Sequence, residues 1–320
     1  MKSDPTFPER VASIDIGTNT ILLLIAEVNK GVLKPLFEKE TIVRLGEGVQ
    51  QNGVLLEGAM ERGIQTLTQY LKKCQETGAQ RIFAAGTSAL REAKNAGDFL
   101  KRVEQELNLA IEVITGEEEA QLSFLAVARD LGNPEKPILV VDVGGGSTEF
   151  VLGKGNQIDH WVSLPVGSVR FTEQFLLSDP VRQEEWVNME NEINKELEKV
   201  PPPHQPFTVV AVGGTATTLA SVALGLEHFV YEKIHHFALG RKGLKSQLNL
   251  YRSKTLEERR KIPGLFPARA DVILAGGAIL YFAMEKFEIP SVVISCQGVR
   301  YGLIYKKITN RKLQIEKPKT

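Results

Sequence analysis

Asp142-Val143-Gly144-Gly145-Gly146-Ser147-Thr148-Glu149 lies between two apolar runs, and its residue types suit the handling of phosphate and a hard cation. Three consecutive glycines reach backbone angles closed to other residues and let a ligand approach the main chain. Their N–H groups, with the Ser147 and Thr148 hydroxyls, would form a concave anion cradle. Asp142, just before the turn, suits magnesium held largely through water. Taken alone, the stretch is equally compatible with a plain β-hairpin and a flexible turn. A second copy tips the balance. Asp15-Ile16-Gly17-Thr18-Asn19-Thr20 also joins two apolar runs, and Asp15 aligns with Asp142, Gly17 with Gly144 and Thr20 with Ser147. The interval is too long for a solenoid repeat of ~20–50 residues. It indicates a duplicated domain with one phosphate loop in each half.

Further candidates lie where strands open into helices. Gly86-Thr87-Ser88-Ala89-Leu90-Arg91 follows an apolar strand, so free N–H groups would sit at a positive helix end. Arg91 could grip a phosphate through its planar fork or form a surface salt bridge. Gly213-Gly214-Thr215 is a third such junction, either a support for a nucleotide or an extended anion, or simply a close strand–helix turn. Arg170 opens another helix as a further phosphate contact. In Thr115-Gly116-Glu117-Glu118-Glu119-Ala120 the acids suit the first turn of a helix, where the dipole favours them. That accounts for Glu117 and Glu118. Glu119 stands out because the segment directly precedes the second phosphate hairpin and would lie at the hinge between the halves.

These groups need strands to carry them and helices to brace them. Strands are expected at the two hairpins, at Val32–Phe37 and Glu40–Leu45, Arg81–Ala85, Ile111–Ile114, Ile158–Leu164, Phe207–Val212 and Ser291–Ser295. Met60, Ile64, Leu67, Leu71 and Cys74 are spaced for the buried stripe of a helix over Glu57–Thr77, stopped by Gly78. Further helices are expected at Asn95–Asn108, from Gly116 to about Leu131, at Val181–Val200 before the stop Pro201-Pro202-Pro203-His204-Gln205-Pro206, and from Pro267 to about Phe287. Gly276-Gly277 inside the last would cost ~1 kcal/mol each against alanine unless close packing compensates. Thr255-Leu256-Glu257-Glu258 matches a capping box. The basic residues around it, Lys245, Arg252, Lys254, Arg259, Arg260 and Lys261, form a solvated face or a track for a polyanion. Trp186 is expected to pack. His228, His235 and His236 are expected as exposed loop residues with no metal role.

Bulk properties narrow the classes. The chain has 320 residues, enough for two domains, with 42% hydrophobic and 24% charged residues. Lys+Arg and Asp+Glu balance at 39 each, which argues against a general nucleic-acid coat. No apolar run reaches the ~18 residues of a membrane span, and the first ten residues lack a hydrophobic signal region. Two cysteines, Cys74 and Cys296, form no framework, so a reducing cytoplasm is expected. With five histidines in all, a zinc site is not expected.

Together these motifs resemble the exopolyphosphatase/guanosine pentaphosphate phosphohydrolase family, within the actin, hexokinase and heat-shock chaperone superfamily. The resemblance rests on Asp15–Thr20, Gly86–Arg91, Gly116–Ala120, Asp142–Glu149, Gly213–Thr215, Arg269-Ala270-Asp271 and Gly298-Val299-Arg300-Tyr301-Gly302, in this order over nearly the whole chain. It implies an α/β fold of two similar ribonuclease H-like domains, a duplicated actin-like fold with an interdomain cleft. The domains would be 1–123 plus 301–320, and 124–300. It also implies magnesium-dependent hydrolysis of the terminal phosphate of inorganic polyphosphate, or of guanosine pentaphosphate, with manganese as the alternative ion. By resemblance Glu119 activates water and Arg91 contacts phosphate. Gly17, Thr18, Asn19, Thr20, Gly144, Gly145, Gly146, Ser147, Thr148 and Gly214 bind phosphate. Asp142, Glu149 and Asp15 serve the metal. A homodimer, with no nucleic-acid or integral-membrane partner, is the expectation from the same source. Ser295-Cys296-Gln297-Gly298 departs from the pattern, where an acid or a base is expected in the middle. Longer relatives carry added helical C-terminal domains that extend the polyphosphate surface.

Two other functions share this architecture: a kinase acting on a small acceptor, and a non-catalytic sensor of polyphosphate or nucleotide. Fold does not choose between them. No Gly-x-x-x-x-Gly-Lys-Ser/Thr sequence is present, which argues against a P-loop enzyme. The acids at Glu119, Asp142 and Glu149 argue against a dead site.

Overall fold

Two α/β units account for the chain: the described residues of Met1–Thr115 with Val299–Thr320, and those of Gly116–Gly298. The computed structural model describes residues 8–202 and 207–315, so Pro203–Pro206 of the expected helix stop lie outside the described residues. The expected division at 123/124 falls within a helix that starts at Gly116 and belongs wholly to the second unit.

The first unit holds β1 (Glu9–Ile16), β2 (Thr20–Asn29), β3 (Val32–Ile42), α1 (Val49–Asn52), α2 (Glu57–Thr77), β4 (Arg81–Gly86), α3 (Ser88–Glu92), α4 (Ala96–Leu107) and β5 (Ile111–Val113). Its sheet order is β3-β2-β1-β4-β5, antiparallel through β3-β2-β1 and parallel through β1-β4-β5. Alternation along β1 sends Ala12, Ile14 and Ile16 into the core with the buried stripes of α2 and α4. Val11, Ser13 and Asp15 take the other face. The α2 stripe is as expected, and the Gly78 N–H, at φ 73°, closes the helix on the Cys74 and Gln75 carbonyls. The expected strand pair at 32–45 is instead one strand, β3. Nothing around Lys39 can make a turn, and a bulge opposite Ile25/Ala26 absorbs one residue next to Pro35, tolerated on this edge strand.

The second unit holds α5 (Gly116–Asp130), β6 (Ile138–Val143), β7 (Thr148–Lys154), β8 (Gln157–Leu164), α6 (Ser168–Phe175), α7 (Gln183–Leu197), β9 (Thr208–Val212), α8 (Gly213–Ala223), α9 (Tyr231–Ile234), β10 (Ala238–Gly240), α10 (Arg241–Arg252), α11 (Leu256–Arg259), α12 (Ile273–Lys286) and β11 (Ser291–Ile294). The order β8-β7-β6-β9-β11 repeats the first sheet with the same strand directions, and β10 is added at the far edge. This repeated plan is the duplicated actin-like fold. The chain then returns to the first unit as α13 (Val299–Ile315), which packs on β1, β2 and β4, and Ser13 Oγ donates to the Arg300 carbonyl at 2.7 Å.

One face of the second sheet packs on α6, α7, α8, α10 and α12 through Leu139, Val141, Val143 and Phe150. The other packs on α5 through Ile138, Val140, Val151, Val210, Phe124 and Val127. The apolar helix expected from Pro267 starts later, at Ile273, because a separate 3₁₀ turn occupies Pro267–Arg269. Close packing does explain its glycines. A Cβ on Gly276 would lie 2.7 Å from Thr215 Cγ2, and one on Gly277 would lie 3.0 Å from Leu248. Trp186 packs in this core, with the Arg252 guanidinium 4.3 Å over its ring. The Thr255 capping box is formed. Among the described residues no helix is long and apolar enough to cross a membrane.

Candidate active site

The hairpin register builds the acid site. Asp142 on β6 pairs directly with Glu149 on β7, and Glu149 pairs with Ser163 on β8. Residues directly opposite share a face with Cβ atoms ~4.5–5.5 Å apart, so two carboxylates and a hydroxyl form one row across three strands. The row continues the apolar positions Ile138 and Val140, so it faces α5. That helix adds Ser123 and, one turn earlier, Glu119. Ser123 Oγ donates to Asp142 Oδ2 at 2.6 Å, and Ser163 Oγ donates to Glu149 Oε1 at 2.7 Å. Of the three glutamates opening α5, Glu117 is exposed and Glu118 half-buried, while Glu119 is 8% exposed.

Burial and crowding set the charge state of this row. Burial pushes the Asp142 carboxyl up, opposed by the Ser123 hydrogen bond. Glu149 is pushed well up, first by burial and then by the charges of Glu119 and Asp142, with Ser163 and Ser147 pulling the other way. Without a cation, three acids here cannot all ionise cheaply.

The Gly-rich turn is folded as a cradle. The Gly144 N–H donates to the Ser147 carbonyl at 3.0 Å and closes the turn. The turn's carbonyls are held from the α6 side: Ser168 N–H donates to Gly144, Val169 and Arg170 N–H to Gly145, and Arg170 Nε to Gly146 at 2.7 Å. Arg170, expected at a phosphate, braces the turn through its Nε. Thr148 Oγ1 likewise donates inward, to the Val166 carbonyl at 2.5 Å. Among the described residues, no backbone carbonyl accepts from the N–H groups of Gly145 and Gly146.

The first unit repeats the device. Gly17 N–H donates to the Thr20 carbonyl at 3.0 Å, and the carbonyls of Thr18 and Asn19 accept from Gly46, Val43 and Arg44. Here Thr18 Oγ1 and Asn19 Nδ2 are buried with no partner among the described residues. Such orphans cost about 1–3 kcal/mol each, and an oxyanion would satisfy both. Asp15 lies opposite Leu22 in the register, so this copy lacks the acid pair. Arg91 is half-buried, and its Nη1 donates to the Ile114 carbonyl at 3.0 Å.

The β9–α8 junction completes the second unit's site. Gly213 has φ 90°, and a Cβ there would come within 2.9 Å of Asp142 Oδ1. A Cβ on Gly214 would strike the buried Arg269 guanidinium at 2.1 Å. Gly213→Ala should therefore cost roughly 1–3 kcal/mol, from the left-handed backbone alone. A thermal melt checks this, and an unchanged melting temperature would contradict the reading.

The structure thus brings Glu119, Asp142, Glu149, Gly144–Thr148 and Gly214 into one unit, and places Asp15, Gly17–Thr20 and Arg91 in the other. Sequence reasoning missed Ser123 and Ser163. Counting would have found both, since Ser123 is Glu119 plus four on a helix and Ser163 follows from the hairpin register. The basic stretch is not a ready-made track. Arg259 is buried and bonded to Asp179, Arg260 pairs with Glu257, and Arg252 packs on Trp186.

The histidine expectation needs correcting. His228 is exposed, but His235 is mostly buried and, with His236, hydrogen-bonds Asp130 at the end of α5. Their sequence neighbours gave no sign of it, because Asp130 is more than a hundred residues away.

A duplicated actin-like fold with a glycine cradle and a buried acid row defines a phosphate-handling protein. Comparison with known proteins identifies it further. Residues 24–311 match the model of the Ppx/GppA phosphatase family, and the chain belongs to that family. A bifunctional 3-dehydroquinate synthase/phosphatase of Fusobacterium nucleatum is 36% identical over 94% of this chain. The chain spans about half of that relative, 47% of its length. Exopolyphosphatase 2 of Mycobacterium tuberculosis is 36% identical over 85% of this chain and 88% of its own. A crystal structure of the Aquifex aeolicus family member matches with TM-score 0.81 at 39% identity, over 95% of this chain and 99% of that one.

Proposed function

We propose that the chain is an exopolyphosphatase that removes the terminal phosphate of inorganic polyphosphate as orthophosphate. The observation that carries this is the acid row: Asp142 and Glu149 face to face on paired strands, with Glu119 one helical turn from Ser123, all beside a glycine cradle. Kinship with exopolyphosphatase 2 of Mycobacterium tuberculosis supports the substrate.

Phosphoryl transfer asks mainly for positioning and charge neutralisation. The N–H groups of Gly145 and Gly146 and the Ser147 hydroxyl hold phosphate oxygens on one unit. The first unit's own turn offers the orphan donors of Thr18 and Asn19. Glu119 takes a proton from a water whose oxygen attacks the terminal phosphorus in line. The bond from that phosphorus to the bridging oxygen breaks, and the electron pair stays with the shortened chain. Arg91 offers its guanidinium to the phosphate charge.

The donor set fits magnesium, with manganese as the alternative. Carboxylate oxygens of Asp142 and Glu149 are hard donors, and their repulsion in the bare site is what a dication relieves. They do not converge with a third ligand into a closed cage among the described residues. Magnesium favours that arrangement, since it keeps several waters and takes one or two carboxylates plus substrate phosphate. When bound it would neutralise charge on the phosphates, and a metal role for Asp15 rests on family resemblance. A count of only two cysteines supports a cytoplasmic site of action, and a homodimer rests on family resemblance.

Phosphate release with magnesium from short polyphosphate, long polyphosphate and guanosine pentaphosphate, run in parallel, tests the substrate. Release is expected from polyphosphate at the highest kcat/KM. Higher kcat/KM on guanosine pentaphosphate would transfer the assignment to that substrate, and stoichiometric phosphorylation of an acceptor would make the protein a kinase.

A further inference from the structure

His235 and His236, adjacent in sequence, turn both rings onto one carboxylate. His235 Nε2 lies 3.1 Å from Asp130 Oδ1, and His236 Nε2 lies 2.8 Å from Oδ2. The rings stack with centroids 3.9 Å apart, an arrangement that goes with φ 64° at His236. Gln297 Nε2 also donates to Asp130 Oδ1, at 3.3 Å, and its own Oε1 is buried with no partner among the described residues. Burial alone would raise the Asp130 carboxyl. The two histidine hydrogen bonds outweigh it and hold the group below its usual range, so it stays ionised.

Three ligand-type atoms, one from each of Asp130, His235 and His236, lie within 4.8 Å of one another. Contacts near 3 Å are the edges expected between neighbouring ligands around an ion at ~2.0–2.2 Å. Two imidazoles and one carboxylate suit zinc and other first-row transition ions. Magnesium demands oxygens. Access exists on one side: the His236 side chain is 47% exposed, against 9% for Asp130 and 11% for His235. That side leaves room for water as a further ligand.

We propose that Asp130, His235 and His236 form a second ion site, selective for a transition-metal dication such as zinc and separate from the Asp142–Glu149 acids. In the metal-free protein the Cys296 N–H donates to His235 Nδ1 at 3.2 Å, so the His235 proton sits on Nε2. Zinc needs an Nε2 lone pair, which only the other tautomer supplies. The ring proton moves to Nδ1, and the Cys296 amide turns away. Loading is thus coupled to the Ser295–Gly298 loop.

The test is calorimetric titration of the metal-stripped full chain with zinc, in excess magnesium so that the oxygen site is filled. One zinc per chain is expected. His236→Gln and Asp130→Asn should each weaken it at least tenfold, with His236→Gln leaving magnesium-supported phosphate release unchanged. In nitrogen-15-labelled protein the Cys296 amide signal should move on adding zinc to wild type and stay put in His236→Gln. Absence of zinc binding, or equal affinity in His236→Gln, would overturn the site. Loss of zinc in Glu149→Gln instead would assign the ion to the acid row and overturn it equally.

Discussion

Glu119→Gln is expected to lower phosphate release from polyphosphate by about 10²–10⁴-fold, the usual worth of a positioned general base, with KM little changed. The amide keeps the shape and the helical turn but accepts no proton from water. Two features single this residue out among its neighbours. It is the buried member of the three glutamates that open α5, and its charge reaches Glu149. Glu117→Gln is the control, since Glu117 lies in the same turn, is exposed and bonds only Gln121 among the described residues. That variant should stay within a few-fold of wild type. A fall in kcat without a matching rise in KM would mark an interaction made in the transition state. The acid limb of the pH–rate profile should also change in Glu119→Gln, leaving only the part set by protonation of Asp142 and Glu149. Wild-type turnover in this variant would remove Glu119 from the chemistry.

Much of this site was legible in the sequence because its logic is local. A strand that ends in Asp-x-Gly can only present that aspartate beside the turn, and finding the motif twice revealed the duplicated sheet. The stop at Gly78 and the stripe of α2 followed from helical period alone. What was not legible depended on pairing across distance. Ser163 could be reached only by counting through the β7–β8 register, and the contact that Gly213 makes depends on β9 lying parallel to β6 with its end against Asp142. The histidines read as loop residues because their partner, Asp130, closes a helix far earlier in the chain. Arg259, read as part of a solvated face or a polyanion track, is instead buried and bonded to Asp179. Positive charge in a sequence does not say whether the fold has already spent it.

Glu149→Gln is expected to stabilise the metal-free protein at neutral pH while disabling it. Like charges directly opposite on paired strands destabilise a sheet, and Asp142 and Glu149 are such a pair in a buried row. The sign follows from linkage. Glu149 titrates well above its ordinary range in the folded protein, through burial and the charges of Glu119 and Asp142. Below the ordinary carboxylate range both folded and unfolded chains hold the proton, and the group costs nothing. As pH rises, the unfolded chain ionises first, so stability falls until the folded value is passed. Glutamine has no such titration, and its carbonyl can still accept from Ser163. In chelator, wild type and Glu149→Gln should melt together in acid. Towards neutral pH they should diverge, the variant gaining at least ~1 kcal/mol, or roughly 2–4 °C for a unit of this size. Magnesium should reverse the order. Wild type gains stability on binding the ion, whereas the variant, with one carboxylate fewer, should bind it about 10–100-fold more weakly and release phosphate correspondingly slowly. A variant that melts below wild type in chelator at neutral pH would mean that the acid pair is not strained, and the case for a cation in this row would fall with it.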